Sequence, residues 1–386
     1  MSYYKEISKK IKENFNSKKL KLHEPIFSLQ EKKNLAICIN SGFVSTSLNG
    51  HFIKKLENQI KKYTKCKYVV CTINGVSGLH ASLLALDVKK NDEVLVPSLT
   101  FVATVNPVLY AGAIPHFVDA DIKNFGVDFK KLKAYLELIS YKKGAFFYNK
   151  KTNRRLKALI NVHVFGNPSD IYKLKSLAKR YNLKLVEDAT EALGSFFKNK
   201  HVGNFGDTGV FSFNGNKIIT AGGGGAVITN NKILYEKISH LVSNAKKKHK
   251  WEFIHDQTGF NYRMPNINAA LVSAQFEKLK KILKIKRDIF NTYKDIVSKF
   301  KEVDLLAESK NSKSNYWLNT LMLKDKKGKK DDFIKFFFKE KIFVRPVWKP
   351  LHTLIHLKKF PRMNLQVTEY IYKNSINLPS GPGIKK

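Results

Sequence analysis

Apolar and polar positions over the first two thirds of the chain alternate between two rhythms. Short runs of β-branched and aromatic residues (68–72, 93–96, 114–118) give way to stretches such as 75–86, where apolar residues return every three or four positions. The alternation continues as a strand over 158–164, a helix over 171–181, and strands over 183–186, 209–213 and 226–229. Residues 102–110 read as one more helix, ended by Ala111-Gly112. This order predicts an α/β fold with a large, mostly parallel sheet and helices on its faces. In such a sheet ligands bind beyond the carboxyl ends of the strands.

Past about residue 265 the pattern changes. Residues 268–297 form one long amphipathic stretch, followed by strand-like runs at 316–323 and 342–347 and a helix over 330–339. Residues 324–330 read as a charged turn. The division expected is an N-terminal arm (1–30), a large domain (31–264), and a long helix with a small α+β C-terminal domain (265–386).

Hydrophobic residues make up 43% of the 386, enough for a sizeable core. No run of about 18 apolar residues exists, so no membrane span is expected. The lysine-rich N-terminus lacks the apolar run of a secretory signal. Three cysteines without metal-ligand spacing fit a reducing, cytoplasmic setting.

A formal charge of +39 suggests a nucleic acid or an anionic membrane as partner. The side chains argue otherwise. Only seven of the 70 basic residues are arginine, the better bidentate reader of phosphates and bases. Lysine is spread along the whole chain, which reads as a compositional bias. Neither nucleic acid nor membrane is expected as a partner, though the field favours an anionic substrate.

Four segments carry candidate chemistry. In Val186-Glu187-Asp188-Ala189-Thr190-Glu191 a strand ends in acids placed over the sheet edge; a helix N-cap or a charged turn would look the same. In Val210-Phe211-Ser212-Phe213-Asn214-Gly215-Asn216-Lys217 an aromatic strand runs into small polar residues and one lysine. Burial at a strand end would keep that amine neutral and nucleophilic, whereas most of the 63 lysines are solvated surface charges. In Asn74-Gly75-Val76-Ser77-Gly78 a strand, a glycine turn and a helix start offer free N–H groups to a phosphate, without a full nucleotide fingerprint. The fourth, Gly259-Phe260-Asn261-Tyr262-Arg263-Met264, has no spacing that signals a function by itself.

In this order the four segments resemble the DegT/DnrJ/EryC1/StrS family of sugar aminotransferases, which use pyridoxal 5′-phosphate (PLP). The resemblance runs from Leu22-His23-Glu24-Pro25, through Pro97-Ser98-Leu99-Thr100-Phe101-Val102-Ala103-Thr104, to Arg345-Pro346-Val347-Trp348-Lys349-Pro350-Leu351-His352. It implies the aspartate-aminotransferase-like fold (fold type I). Lys217 matches the lysine that bonds to the cofactor, and Asp188 the acid paired with the pyridinium nitrogen. Ser212 matches a phosphate contact, and Val76 and Ser77 lie in the phosphate loop. Phe101 matches the aromatic stacked on the ring. Asn261 matches the asparagine that reaches the phosphate from a partner subunit, which implies a homodimer with shared sites. His163, Arg345 and His352 are the candidates for substrate contact.

Glu191 stands where many members carry Gln near the phenolic oxygen of the cofactor. It resembles the perosamine-synthase and the legionaminate- and bacillosamine-pathway branches, as does the run 213–220. Val76 replaces a more usual Thr and removes one phosphate donor. Members usually run on past residue 386 through another helix, so a shortened C-terminus is expected. The resemblance implies transfer of the amino group of glutamate to C4 of a nucleotide-linked 4-keto-6-deoxy sugar, UDP-linked and N-acetylated. A GDP-perosamine-type synthase is the alternative within the family. A dehydratase would carry histidine in place of Lys217. The alternative of another class is a non-catalytic polyanion-binding protein with a decayed PLP site.

Overall fold

The structure, a computed structural model, describes residues 3–15, 19–45, 50–324 and 330–384. Seven strands form the large sheet: β1 (Tyr68–Thr72), β2 (Glu93–Pro97), β3 (Ile114–Val118), β4 (Leu156–Val162), β5 (Lys184–Asp188), β6 (Thr208–Ser212) and β7 (Gly225–Thr229). Their order is β1-β7-β6-β5-β4-β2-β3. β7 runs antiparallel to both of its neighbours, and all other adjacent pairs are parallel. Strands β2 and β4 are buried at every position. Helices on both faces of a parallel sheet favour apolar residues at successive positions, and the runs Val94–Val96 and Ala158–Ile160 made these strands readable in the sequence.

Two expected helices are interrupted. Residues 102–110 divide into a 3-10 turn, Val102–Thr104, and a short helix, Asn106–Tyr110, because Pro107 is tolerated only in a first helical turn. Residues 268–297 form two helices, Asn266–Glu277 and Leu279–Val297, meeting at Lys278. The first is buried on nearly all sides and the second along one stripe. At the junction the Lys278 ammonium lies 2.6 Å from Glu31 Oε1.

A four-stranded sheet follows, in the order Val303–Leu305, Asn319–Leu323, Ser375–Leu378, Arg345–Pro346. The strand expected over 316–323 begins only at Asn319, because Tyr316 adopts a left-handed backbone (φ 48°) that turns the chain. The one expected over 342–347 shortens to two residues. The helix Lys330–Lys339 stands as expected, while most of the charged turn at 324–330 lies outside the described residues. A second core lies here. Ile7, Ile11 and Phe15, from or just after the N-terminal helix Tyr3–Asn14, pack with Ile289, Tyr293, Phe333, Phe337 and Ile376. Among the described residues no helix is long and apolar enough to cross a membrane.

Candidate active site

Three chain segments converge at the carboxyl ends of β1, β5 and β6. After β1 the helix Gly75–Ala85 begins at Asn74, whose side-chain oxygen accepts Ser77 N–H at 2.8 Å. The first N–H groups of a helix have no partner within it, so Gly75 and Val76 present amides to an anion. A Cβ on Gly75 would lie 3.0 Å from Thr190 Cγ2 and 3.3 Å from Ser212 Cβ. Only glycine lets the helix start so close to two other walls.

β5 delivers Asp188, which is buried. Its Oδ2 accepts Thr104 Oγ1 at 2.7 Å, and its Oδ1 accepts Thr190 Oγ1 at 2.7 Å and Thr190 N–H at 3.1 Å. Thr100 braces Thr104 at 2.9 Å. Glu191, three residues on, is also buried. Its Oε2 accepts Phe165 N–H at 2.7 Å, and its Oε1 lies 3.7 Å from Lys217 Nζ. The turn that aims this N–H is left-handed at Phe165 (φ 54°) and Gly166 (φ 86°). A side chain at Gly166 would collide with Asn315 Oδ1, only 1.8 Å from its Cβ position.

β6 ends at Ser212, and a tight turn brings in Lys217, whose N–H donates to Asn214 O at 3.0 Å. Burial lowers the Lys217 pKa, while Glu191 and Asp188 oppose this. Burial pushes Glu191 up to about 7 against the pull of Lys217. A buried amine shifted toward its neutral form is a nucleophile, and the Glu191 carboxyl group beside it can take up a proton.

Val76, Phe101, Asp188, Glu191, Ser212 and Lys217 line one cavity of about 450 Å³. Ser77 is buried in the same helical turn as Val76. Asn261 is exposed, bridged to Ser243, and is not among the lining residues of this cavity.

The three expected substrate contacts are placed elsewhere. His163 is fully buried; its Nε2 bonds Glu187 at 3.0 Å and its Nδ1 accepts Ser169 N–H at 3.4 Å, so the ring is taken up between strands β4 and β5. His352 is held between Ser98 Oγ (2.8 Å) and Glu369 Oε1 (3.2 Å) and ties the C-terminal segment to the end of β2. Arg345 sits at the edge of the small sheet, over the Phe338 ring.

Sequence reading missed Thr104, Thr190, Trp317 and Trp348, all lining the cavity. A signal existed for the last two, since tryptophan occurs only three times in the chain. The residues fit PLP. Gly75, Val76 and Ser212 would hold its phosphate, Phe101 a face of its ring, Asp188 its ring nitrogen and Lys217 its aldehyde carbon.

The model of the DegT/DnrJ/EryC1/StrS aminotransferase family matches residues 27–386. GDP-perosamine synthase of Escherichia coli O157:H7 is 34% identical over 368 residues, covering 95% of this chain and 94% of that protein. UDP-4-amino-4,6-dideoxy-N-acetyl-beta-L-altrosamine transaminase of Campylobacter jejuni is 32% identical over 336 residues, 86% of this chain and 85% of that protein. Among solved structures, a Helicobacter pylori aminotransferase involved in pseudoaminic acid biosynthesis matches with a TM-score of 0.83 at 25% identity, over 94% of this chain and 93% of that one.

Proposed function

We propose, for a chain that belongs to the DegT/DnrJ/EryC1/StrS aminotransferase family and is a PLP-dependent nucleotide-sugar aminotransferase, that its reaction moves the amino group of glutamate to C4 of a UDP-linked, N-acetylated 4-keto-6-deoxy sugar. The observation that carries this reading is the meeting of Lys217, Asp188, Glu191 and the helix start at Gly75 in one cavity. The UDP-linked, N-acetylated acceptor is supported by the name of the Campylobacter relative. A GDP-linked keto sugar is the second reading, supported by the name of the Escherichia coli relative.

When bound, PLP supplies an electron sink that eases removal of the proton from the carbon bearing the amine. This chain's residues do the rest. Asp188, oriented by Thr104 and Thr190, keeps a proton on the ring nitrogen. The amides at the start of the helix Gly75–Ala85 and the Ser212 hydroxyl hold the phosphate. Lys217 Nζ takes the proton from Cα of glutamate in the first half-reaction; in the second it delivers a proton to C4 of the sugar. The donor leaves as 2-oxoglutarate and the ketone leaves as an amine, so the amino group and its electrons balance.

The test is a panel of UDP-, GDP- and dTDP-linked 4-keto sugars incubated with enzyme, PLP and glutamate. Product mass and 2-oxoglutarate release are the readouts. The expected result is fastest amination of the UDP-linked N-acetylated member. Amination of a simple keto acid and of no nucleotide sugar would overturn the substrate class. An absorbance scan without a cofactor band would point to the polyanion-binding alternative.

A further inference from the structure

Lys217 Nζ lies 4.0 Å from the centre of the Trp317 ring and 3.7 Å from Glu191 Oε1. Trp317 is fixed at several points, and each fixing leads back to the site. Its indole N–H donates to the carbonyl of Asn216, the residue before Lys217, at 2.7 Å. Its backbone N–H donates to Asn315 Oδ1 at 2.8 Å. The Asn315 amide in turn donates to the carbonyls of Glu191 and Leu193, each at 2.9 Å. The carbonyl of Trp317 accepts a hydrogen bond from Nζ of the fully buried Lys286 at 2.7 Å. One indole is thereby registered to both the lysine and the glutamate.

A ring face so close to an amine favours the ammonium form, because the face of the indole is negative. Glu191 favours it too, while burial opposes it. We propose that Trp317 is a positioning residue that holds the free Lys217 ammonium between its ring face and the Glu191 carboxylate while the amino group rides on the cofactor. Lys217 then has a defined resting place from which it returns to the reacting carbon. Besides Glu191, the titratable groups that bear on Lys217 are Asp188 at the end of β5 and His23 on the N-terminal segment. His23 is kept toward its neutral form by burial, then by Lys286 and Lys217. The proposal rests on Lys217 being the lysine that bonds to the cofactor.

The experiment measures the pKa of Lys217 in cofactor-free protein by trace acetylation from neutral to alkaline pH, with the Lys217 peptide quantified by mass. Trp317→Leu should lower that pKa by about one unit, the size of a partly buried cation–π contact. Trp317→Phe keeps a ring face and should stay near the wild-type value. An unchanged or raised pKa in Trp317→Leu, or an equal fall in Trp317→Phe, would overturn the proposal. Wild-type cofactor-free protein gives a second measurement that needs no change at the indole. Its tryptophan emission should shift as Lys217 titrates, and the shift should vanish in Lys217→Met; a shift that persists there counts against the proposal. Borohydride reduction of the PLP-loaded protein separates the two levels. A label on another lysine sinks the cofactor assignment, whereas a label on Lys217 with no effect in Trp317→Leu sinks the Trp317 proposal alone.

Discussion

The Thr104 hydroxyl donates to Asp188 Oδ2 at 2.7 Å, across 84 positions of sequence. With Thr190 on the other oxygen, the carboxylate is fixed in orientation before any ligand arrives. Asp188→Asn keeps the shape and can retain the Thr190 contacts through its amide oxygen, so the variant should fold. It cannot hold a proton on a pyridinium nitrogen by charge, and kcat should fall by several orders of magnitude. Near-normal turnover, measured with the keto-sugar assay, would mean that another group protonates the ring.

Gly75 is where the phosphate cradle has no room to spare. A methyl group there meets Thr190 Cγ2 at 3.0 Å and Ser212 Cβ at 3.3 Å, so the helix start, the β5 turn and the β6 turn must move apart. Gly75→Ala should lower the melting temperature modestly and weaken PLP on the order of tenfold, about 1.4 kcal/mol. Absorbance titration of cofactor-free protein reads this directly. Unchanged PLP affinity would show that the cradle tolerates the shift.

Glu191 gives a pH signature. Burial raises its pKa from 4.5 to about 7 in the folded chain, so the folded state binds more protons than the unfolded state between these values. Its contribution to stability is fully present below the unfolded pKa and is lost as pH rises through about 7. Glu191→Gln keeps an acceptor for Phe165 N–H but cannot titrate. The wild-type minus variant difference in unfolding free energy should therefore fall with rising pH across that window, in cofactor-free protein. A flat difference would mean that Lys217 keeps Glu191 ionised throughout.

The parts of this molecule that were readable in its sequence share a physical reason. Strands β2 and β4 are covered on both faces, and each shows a short run rich in apolar residues, Val94–Val96 in β2 and Ala158–Ile160 in β4. Asp188 and Ser212 end strands and Lys217 follows one, the family resemblance singles them out, and the pairing of β5 with β6 brings them to one sheet edge. Trp317 is different. It lies 100 residues beyond Lys217 and enters the cavity beside the left-handed turn at Tyr316, inside what reads as an ordinary strand. His163 shows the opposite problem. In sequence a polar residue near the end of a strand looks available to a ligand; only the pairing of β4 with β5 brings Glu187 to its ring. The N-terminal helix was hidden by its lysines, although Ile7, Ile11 and Phe15 recur every four positions.

Asn261 lies exposed beside Ser243, between the large sheet and the helix Asn266–Glu277, and is not a lining residue of its own chain's cavity. This placement fits a role in a neighbouring subunit's site, in a two-fold dimer whose active sites are each built from two chains. A mixing experiment decides between that arrangement and an ordinary surface turn. In a hybrid of a Lys217→Ala chain and an Asn261→Ala chain, one site combines both defects. The other combines the intact Lys217 of one chain with the intact Asn261 of its partner. Each variant alone should be impaired, and the mixture should regain activity as hybrids form. If Asn261 serves its own chain, every site in the hybrid carries one defect and no activity returns. Sedimentation of the active enzyme supplies the second check: full turnover by a monomer would leave Asn261 with no partner site to complete.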